Sequence, residues 1–304
     1  MRMGSLQSRF FGAFEGTRSA YPIAIFRIAF FGGLALHFFP SLLNPDDNYT
    51  PGALRGDEWN HWLYAQVQHL PHTTMRAWSI LTMAACGMAM VGFMSRFAVT
   101  VTGFGLYAFA SFNWLPVQTI ALVTTWAILL AWMICGGGAE VLSVDSMLSR
   151  SKRQAKRDAP KLLSGLVLFQ VLLAVFFSGV EKLLAGWPWT NEMGIVLSYP
   201  RGFIVRDWVA SSEVMRSSVV THSFTYLTLV VELGCPCVLM LGQPRARIAA
   251  LVVFQAFFLG IIAMLEVPPL FYFIFAFGAL LALDDQQVAW VAARLTRSQP
   301  GARA

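Results

Sequence analysis

Residues 162–182 read LLSGLVLFQVLLAVFFSGVEK, and this stretch decides the fold class of the chain. The first charged side chain in it is Glu181, so the 19 residues before Glu181 carry no charge. A helix of about 20 apolar residues crosses the roughly 30 Å of hydrocarbon in a bilayer. The stretch therefore predicts a membrane helix that ends in an acidic and a basic residue, Glu181 and Lys182.

The composition of the whole chain supports a membrane protein. Its 304 residues are 57% hydrophobic and 12% charged, against about 25% charged in a typical soluble domain. The net charge of +6 could indicate nucleic-acid binding. However, the basic residues flank apolar runs, which is typical of membrane orientation. We therefore predict contact with membrane lipid and no nucleic-acid partner.

Hydropathy predicts an all-α bundle of eight membrane helices in one domain, residues 1–304. The eight segments are residues 21–43, 75–95, 97–113, 116–135, 162–182, 222–242, 248–266 and 267–284. The last two are divided at Glu266 and the Pro268-Pro269 pair, because proline interrupts helical hydrogen bonding.

Loop charges predict the orientation of this bundle. Six basic residues lie in the loop after the fourth helix: Arg150, Lys152, Arg153, Lys156, Arg157 and Lys161. Such loops stay in the cytoplasm. Because eight is an even number of helices, both termini then also lie in the cytoplasm. We predict that the protein lies in the inner cell membrane. The long outer segments, residues 44–74 and 183–221, then form a cap of interfacial loops or helices.

Lys182 is the main catalytic candidate. Burial disfavours the ammonium form, so a buried lysine can act as a general base. Ser178 lies one helical turn before it, Gly179 allows another backbone to approach, and Trp187 and Trp189 could wall off a pocket for a flat, apolar reactant. In the alternative interpretation, Lys182 extends to the outer interface and both tryptophans belong to the aromatic belt.

Two further ionisable residues lie within apolar helices, where they are costly. Glu232 lies in the middle of the sixth helix and Arg27 in the first. Glu232 could pair with Arg27, stay protonated or line a cavity. Both are candidate pocket or support residues, as is Glu181.

Metal-binding patterns are weak. His61, His69 and His72 share the first outer loop without a carboxylate at a helical metal spacing. Cys235 and Cys237 are two residues apart, so on a helix they do not face each other. We predict no metal site.

The segment FFSGVEKLLAGWPW, residues 176–189, resembles the aromatic-x-Gly-x-x-Lys-Leu stretch of the vitamin K-dependent gamma-carboxylase family, within the HTTM (horizontally transferred transmembrane domain) superfamily. The resemblance covers roughly residues 20–284. It includes IFRIAFFGGL (25–34), NYTPGAL (48–54), GFMSRF (92–97), SFNW (111–114) and LSVD (142–145).

The resemblance implies a membrane lyase that carboxylates glutamate, with Lys182 as the base that deprotonates vitamin K hydroquinone. It also implies an acidic residue at Glu232. Asn113 matches an asparagine of the family, but Trp114 and Gln255 stand where the family has histidines. These departures favour another quinol- or lysine-dependent modification of a small peptide or lipid.

Three functions stay open at this point. An enzyme predicts a quinone-sized cavity near Lys182, Trp187 and Glu232. A non-catalytic maturation or immunity partner of a secreted peptide predicts a binding groove in the outer cap and no need for Lys182. A transporter ranks lowest, since neither an inverted repeat nor a pair of broken helices is apparent.

Overall fold

Helices dominate the computed structural model of the chain. The structure describes residues 10–43, 71–113, 119–135, 141–148, 158–190, 204–266 and 269–287. Eight long helices lie in these ranges: α1 (Tyr21–Leu43), α2 (His72–Val91), α3 (Ser95–Asn113), α4 (Thr119–Cys135), α6 (Lys161–Leu184), α9 (Ser218–Leu241), α10 (Pro244–Met264) and α11 (Pro269–Ala279). Three short helices are α5 (Val144–Leu148), α7 (Asp207–Ala210) and α8 (Glu213–Arg216), and a 3-10 turn, Leu280–Ala282, extends α11.

Each of the eight predicted apolar segments coincides with one long helix to within a few residues. Within the described ranges, three helices are long and apolar enough to cross a membrane: α6, α9 and α10. The other described apolar helical stretches are shorter: Tyr21–Leu36, Arg76–Val91, Val123–Cys135 and Tyr272–Ala282. The helical fold is confirmed, and three of its helices have the dimensions of membrane spans.

Local residues explain where several helices begin and end. α2 ends at Gly92, whose φ of 69° is left-handed, a backbone conformation that glycine adopts at low cost. α9 begins after Ser217, whose side chain accepts a hydrogen bond from the Val220 amide. α11 begins at Pro269, which fits the first helical turn because no amide partner is needed there.

Four short strands depart from the all-α prediction. β1 (Thr17–Ser19) pairs antiparallel with β2 (Asp158–Pro160), and β3 (Ile204–Val205) pairs antiparallel with β4 (Leu265–Glu266). Two or three residues are too few to show the alternating pattern of a strand. The sequence predicted that the seventh long helix ends at Glu266. In the structure this helix, α10, ends at Met264, and Glu266 belongs to β4.

α6 lies centrally in the bundle and contacts α4, α9 and α11, while α1 contacts α2 and α11. Large side chains fill the interior beside α1. The ring of Trp132 stacks on that of Phe26, with centroids 6.0 Å apart, and both are almost fully buried. The packing of α6 along α9 has the most direct functional consequence, because it joins two candidate residues.

The structure describes part of the second segment that the sequence assigned to an outer cap. The segment 204–217 contains β3, α7 and α8 and lies against the end of α10. Arg206 Nε donates to the carbonyl of Ile262 at 3.0 Å, and Trp208 Nε1 donates to that of Ala263 at 3.0 Å. These donors satisfy carbonyl groups that a helix end leaves without intrahelical partners.

Candidate functional site

The close contact between α6 and α9 depends on a glycine. Gly179 is buried, and a Cβ atom added to it would lie 3.0 Å from Glu232 Cβ and 3.0 Å from Leu233 Cδ2. The hydrogen side chain of glycine therefore lets α9 approach α6 closely. The structure confirms the close backbone approach that the sequence predicted at Gly179, and the approaching helix carries Glu232.

Lys182 and Glu232 form a salt bridge across these two helices. Lys182 Nζ donates to both carboxylate oxygens, at 2.5 and 2.6 Å, and to Ser178 Oγ at 2.9 Å. An ammonium group has three N–H donors, so these three acceptors complete its hydrogen bonding. The side chain of Glu232 is 8% exposed and that of Lys182 is 21% exposed, so the pair is largely enclosed by protein.

Lys182, near the C-terminal end of α6, lies beside the middle of α9. Glu232 lies 14 residues into α9, which is about 21 Å from Ser218 at 1.5 Å per residue. The C-terminal end of α6 therefore meets the middle of α9, and the N-terminal half of α9 extends beyond it. The ammonium group of Lys182 binds Glu232, and its position relative to a membrane interface stays a prediction.

The residues that follow α6 cover the salt bridge. The chain turns at Gly186, where φ is 84°, and Lys182 Nζ lies 5.3 Å from the ring centroid of Trp187. Tyr226 of α9 donates through its hydroxyl to the Pro188 carbonyl at 3.2 Å, which ties the turn to the neighbouring helix. Trp189 is 83% exposed. The structure thus brings Trp187 to Lys182 and leaves Trp189 on the exterior.

Arg27 belongs to a different cluster. It is fully buried, and its Nη2 donates to the Leu142 carbonyl at 2.6 Å. Asp145 makes two hydrogen bonds to the turn after α2. Its Oδ1 accepts from Met94 N, and its own amide donates to the Gly92 carbonyl. These contacts bring together three of the stretches that carry the family resemblance: residues 25–34, 92–97 and 142–145. Glu232 pairs with Lys182, so the suggested Arg27–Glu232 pair is not the one that forms.

The remaining candidates have separate positions. Glu181 is exposed on α6. Gln255 donates through Nε2 to the Ala276 carbonyl at 2.7 Å and so joins α10 to α11. Predictions for Trp114, His61 and His69, and for the side chains of Asn113 and His72, lie outside the described residues.

The cysteine interpretation agrees with the geometry. Cys235 is buried and Cys237 is exposed, so the two thiols lie on different faces of α9. Among the residues that the structure describes, no group of three or more His, Cys, Asp or Glu side chains could hold a metal ion.

A proton can pass between Lys182 and Glu232 without changing the net charge of the pair. If one proton passes from Nζ to a carboxylate oxygen, a neutral amine and a neutral carboxylic acid remain. In a medium of low dielectric constant, desolvation disfavours both charged partners, which narrows the gap between the ionic and neutral forms. The neutral amine has a lone pair that can accept a proton from a reactant.

The pairing itself was not predicted from sequence. Lys182 was assigned to a helix end and Glu232 to a helix middle, which placed them at different depths. A hint was available in Gly179, since a glycine one turn before a lysine marks the face on which a neighbouring helix can approach. Identifying that neighbour required the packing of α6 against α9.

Comparison of the chain with protein-family models, curated proteins and solved structures found no match. The function is therefore inferred from the Lys182 site and from the chain's own sequence.

Proposed function

We propose that the protein is an integral membrane enzyme of the gamma-carboxylase-like HTTM type that uses Lys182 as a base to modify a small peptide or lipid. The single observation that carries the proposal is the enclosed Lys182–Glu232 salt bridge with Trp187 beside it. Charged residues inside apolar helices are costly, and their retention usually marks a functional site. This pair combines an amine, a proton-accepting partner and an aromatic wall.

The residues fit the first step expected of such an enzyme. In the neutral pair, Lys182 Nζ accepts a proton from an acidic hydroxyl group and becomes an ammonium ion, the hydroxyl group becomes an oxyanion, and Glu232 keeps its proton as a carboxylic acid that accepts a hydrogen bond from Nζ. Ser178 Oγ accepts a further hydrogen bond from Nζ and orients it. The chemistry fits a phenolic hydroxyl, and the ring of Trp187 is suited to a flat reactant.

A hydroquinone of the vitamin K type, when bound, supplies an acidic hydroxyl group and a ring that can be oxidised. Lys182 would meet that hydroxyl, and Trp187 would contact the ring. One cavity among the described residues lies at the opposite end of the bundle from Lys182. The support for a quinol is thus the chemistry of the Lys182 site and the sequence resemblance.

The proposed topology has eight membrane spans, both termini in the cytoplasm and an inner-membrane location. β1 and β2 join the start of α1 to the start of α6, and Arg18 binds the end of α11. In the sequence, basic residues 150–157 directly precede β2, which favours the cytoplasmic side for these ends. Lys182 lies at the other end of α6 and would open outward.

A non-catalytic maturation or immunity role is the second candidate. Two tryptophans on the Lys182 side are well exposed: Trp189 by 83% and Trp208 by 50%. Exposed tryptophans are enriched at protein interfaces and at membrane surfaces. In this role the salt bridge would hold α6 and α9 together, and a secreted peptide would bind to the outer segments.

A charge-preserving substitution separates the two functions. Lys182→Arg keeps a cation beside Glu232, but a guanidinium group does not deprotonate in proteins, so it cannot act as a base. We expect this variant to fold and to lose modification of a synthetic glutamate-containing peptide, measured by mass spectrometry in aerated membranes with vitamin K hydroquinone and bicarbonate.

Arg76→Lys, a conservative exchange at an exposed position of α2, is the matched control and should keep the wild-type level of product. Equal product from Lys182→Arg and wild type would overturn the base assignment. Peptide that binds both proteins alike without any change in mass would instead support the non-catalytic role.

A further inference from the structure

The turn that follows α6, residues 185–190, leaves no room for a reactant beside Lys182. The ring centroid of Trp187 lies 5.3 Å from Lys182 Nζ, whose three N–H donors are directed at Glu232 and Ser178. Atoms in van der Waals contact lie about 3.5 Å apart, so a flat group between the ring and Nζ needs about 7 Å. The indole ring must therefore move before a flat reactant can lie between it and the amine.

Most described hydrogen bonds of this turn join neighbours in the sequence. The Trp187 amide donates to the Lys182 carbonyl at 3.1 Å, and the Trp189 amide donates to the Gly186 carbonyl at 2.8 Å. Trp189 is 83% exposed, so its side chain adds little packing against the bundle. Segments with few buried apolar contacts open at a low cost in free energy. The turn therefore depends on its contacts with other helices to stay over Lys182.

Among the described hydrogen bonds of the turn, the one that reaches another helix comes from Tyr226. Its hydroxyl group donates to the Pro188 carbonyl at 3.2 Å. Pro188 is adjacent to Trp187, so this bond acts on the backbone directly beside the ring. Tyr226 belongs to α9, which also carries Glu232. The hydroxyl group thus fixes the cover to the helix that supplies the partner of Lys182.

Gly186 gives the turn a hinge at its junction with α6. Its φ is 84°, and glycine adopts positive and negative φ values about equally well. A Cβ atom added to Gly186 would meet one described atom within 4 Å, Trp189 Cδ1 at 4.0 Å. The backbone conformation, and not a lack of space, therefore favours glycine here. The same freedom allows the residues after Gly186 to change direction relative to α6.

We propose that residues 185–190 form a gate over Lys182 and that the hydroxyl group of Tyr226 holds this gate closed. In the closed state the ammonium group attracts the ring of Trp187. Opening breaks the hydrogen bond from Tyr226, moves Trp187 aside and admits a reactant to Nζ. Tyr226 is a positioning residue, because it acts on Lys182 through Trp187. The need for a gate rests on the proposed role of Lys182 as a base, but its opening is measurable without any enzymatic reaction.

Chemical labelling of lysines in the purified full chain measures how often the gate is open. The chain has four lysines: Lys152, Lys156, Lys161 and Lys182. Sulfosuccinimidyl acetate acetylates neutral amines, and peptide mass spectrometry gives the initial rate at each lysine in a neutral detergent at constant pH. Lys161, the first residue of α6, is the internal reference. The rate at Lys182 relative to that at Lys161 reports the population of the open gate.

Tyr226→Phe removes the hydroxyl group and keeps the ring. Loss of one hydrogen bond shifts an equilibrium by about two- to tenfold, so the relative labelling of Lys182 should rise by that factor. Tyr21→Phe, at an exposed position where α1 begins, is the matched control and should label as the wild type does. In a Trp187→Ala background, which lacks the cover, Tyr226→Phe should cause no further rise. A general loosening of α9 would instead raise labelling in both backgrounds.

Fluorine NMR of protein that contains 5-fluorotryptophan follows the ring itself, which covers the case in which Trp187→Ala fails to fold. The resonance that Trp187→Phe removes belongs to Trp187, and Tyr226→Phe should shift it while Tyr21→Phe leaves it in place.

The gate is refuted if Tyr226→Phe leaves both the relative labelling of Lys182 and the Trp187 resonance unchanged. It is also refuted if Tyr226→Phe raises labelling equally with and without Trp187. Because labelling needs no substrate, the expected rise in a protein that modifies no peptide supports the gate and counts against the enzymatic function alone.

Discussion

Replacing Lys182 by Met should destabilise the protein strongly, and replacing Glu232 as well should recover much of the loss. Lys182→Met keeps the length of the side chain but leaves the Glu232 carboxylate, 8% exposed, without its cation. Removing one partner of a buried salt bridge costs about 3–5 kcal/mol. Lys182 is 21% exposed and the stranded carboxylate can take up a proton, so we expect the lower end, about 3 kcal/mol.

The double variant tests whether the cost comes from the pair. Lys182→Met with Glu232→Leu replaces both charges by apolar groups, an exchange that is often neutral or stabilising in a buried position. We expect its total loss to stay below the sum of the two single losses by about 2 kcal/mol, a coupling in the range of residues in direct contact. Unfolding in mixed micelles with an anionic detergent, followed by tryptophan fluorescence, measures all three variants.

Glu181→Leu is the matched control. Glu181 is adjacent to Lys182 in the sequence but exposed, and the described contacts of Lys182 Nζ go to Glu232, Ser178 and Trp187. Its effect should therefore add to that of Lys182→Met within about 0.5 kcal/mol. Additive losses for Lys182→Met and Glu232→Leu would refute the assignment of a direct pair.

Three further substitutions test the surrounding packing by the same unfolding measurement. Gly179→Ala should cost about 1–3 kcal/mol because the added Cβ lies 3.0 Å from Glu232 Cβ, and an unchanged stability would contradict the close approach of α6 and α9. Arg27→Met should cost about 1–3 kcal/mol because the Leu142 carbonyl loses a donor, with Arg96→Met at an exposed position as the neutral control. Trp187→Leu should cost about 0.5–1 kcal/mol beyond its lost apolar burial, and this excess should vanish in the Lys182→Met background.

Apolar runs and helix breakers made the helices predictable. An uncharged run of about 20 residues has few alternatives to a helix in an apolar medium. A new helix begins at Pro269, close to the point where the prediction divided its last two segments. The helix ends were less accurate, since α2 ends at Gly92 and not at residue 95. An end depends on local turn contacts that hydropathy does not contain.

Pairings between distant segments were not predictable in this way. Lys182 was identified as a candidate from its own surroundings, but its partner Glu232 is set by the depth at which α6 meets α9. The strands β1 to β4 are equally invisible, because each exists only through a partner far along the chain. A single sequence gives local patterns, whereas these contacts depend on the packed bundle.

The contacts of Arg18 and Ser19 impose an order on biosynthesis. Their partners Leu281, Leu283 and Asp285 lie 263–266 residues later in the chain. At about 5–20 residues per second, a ribosome needs roughly 13–53 s to make that interval. The guanidinium group of Arg18 therefore cannot bind these carbonyls until nearly all of the protein has been translated. The last described turn thus holds β1 in place. In a nascent chain stalled before that turn, β1 would be accessible to proteases.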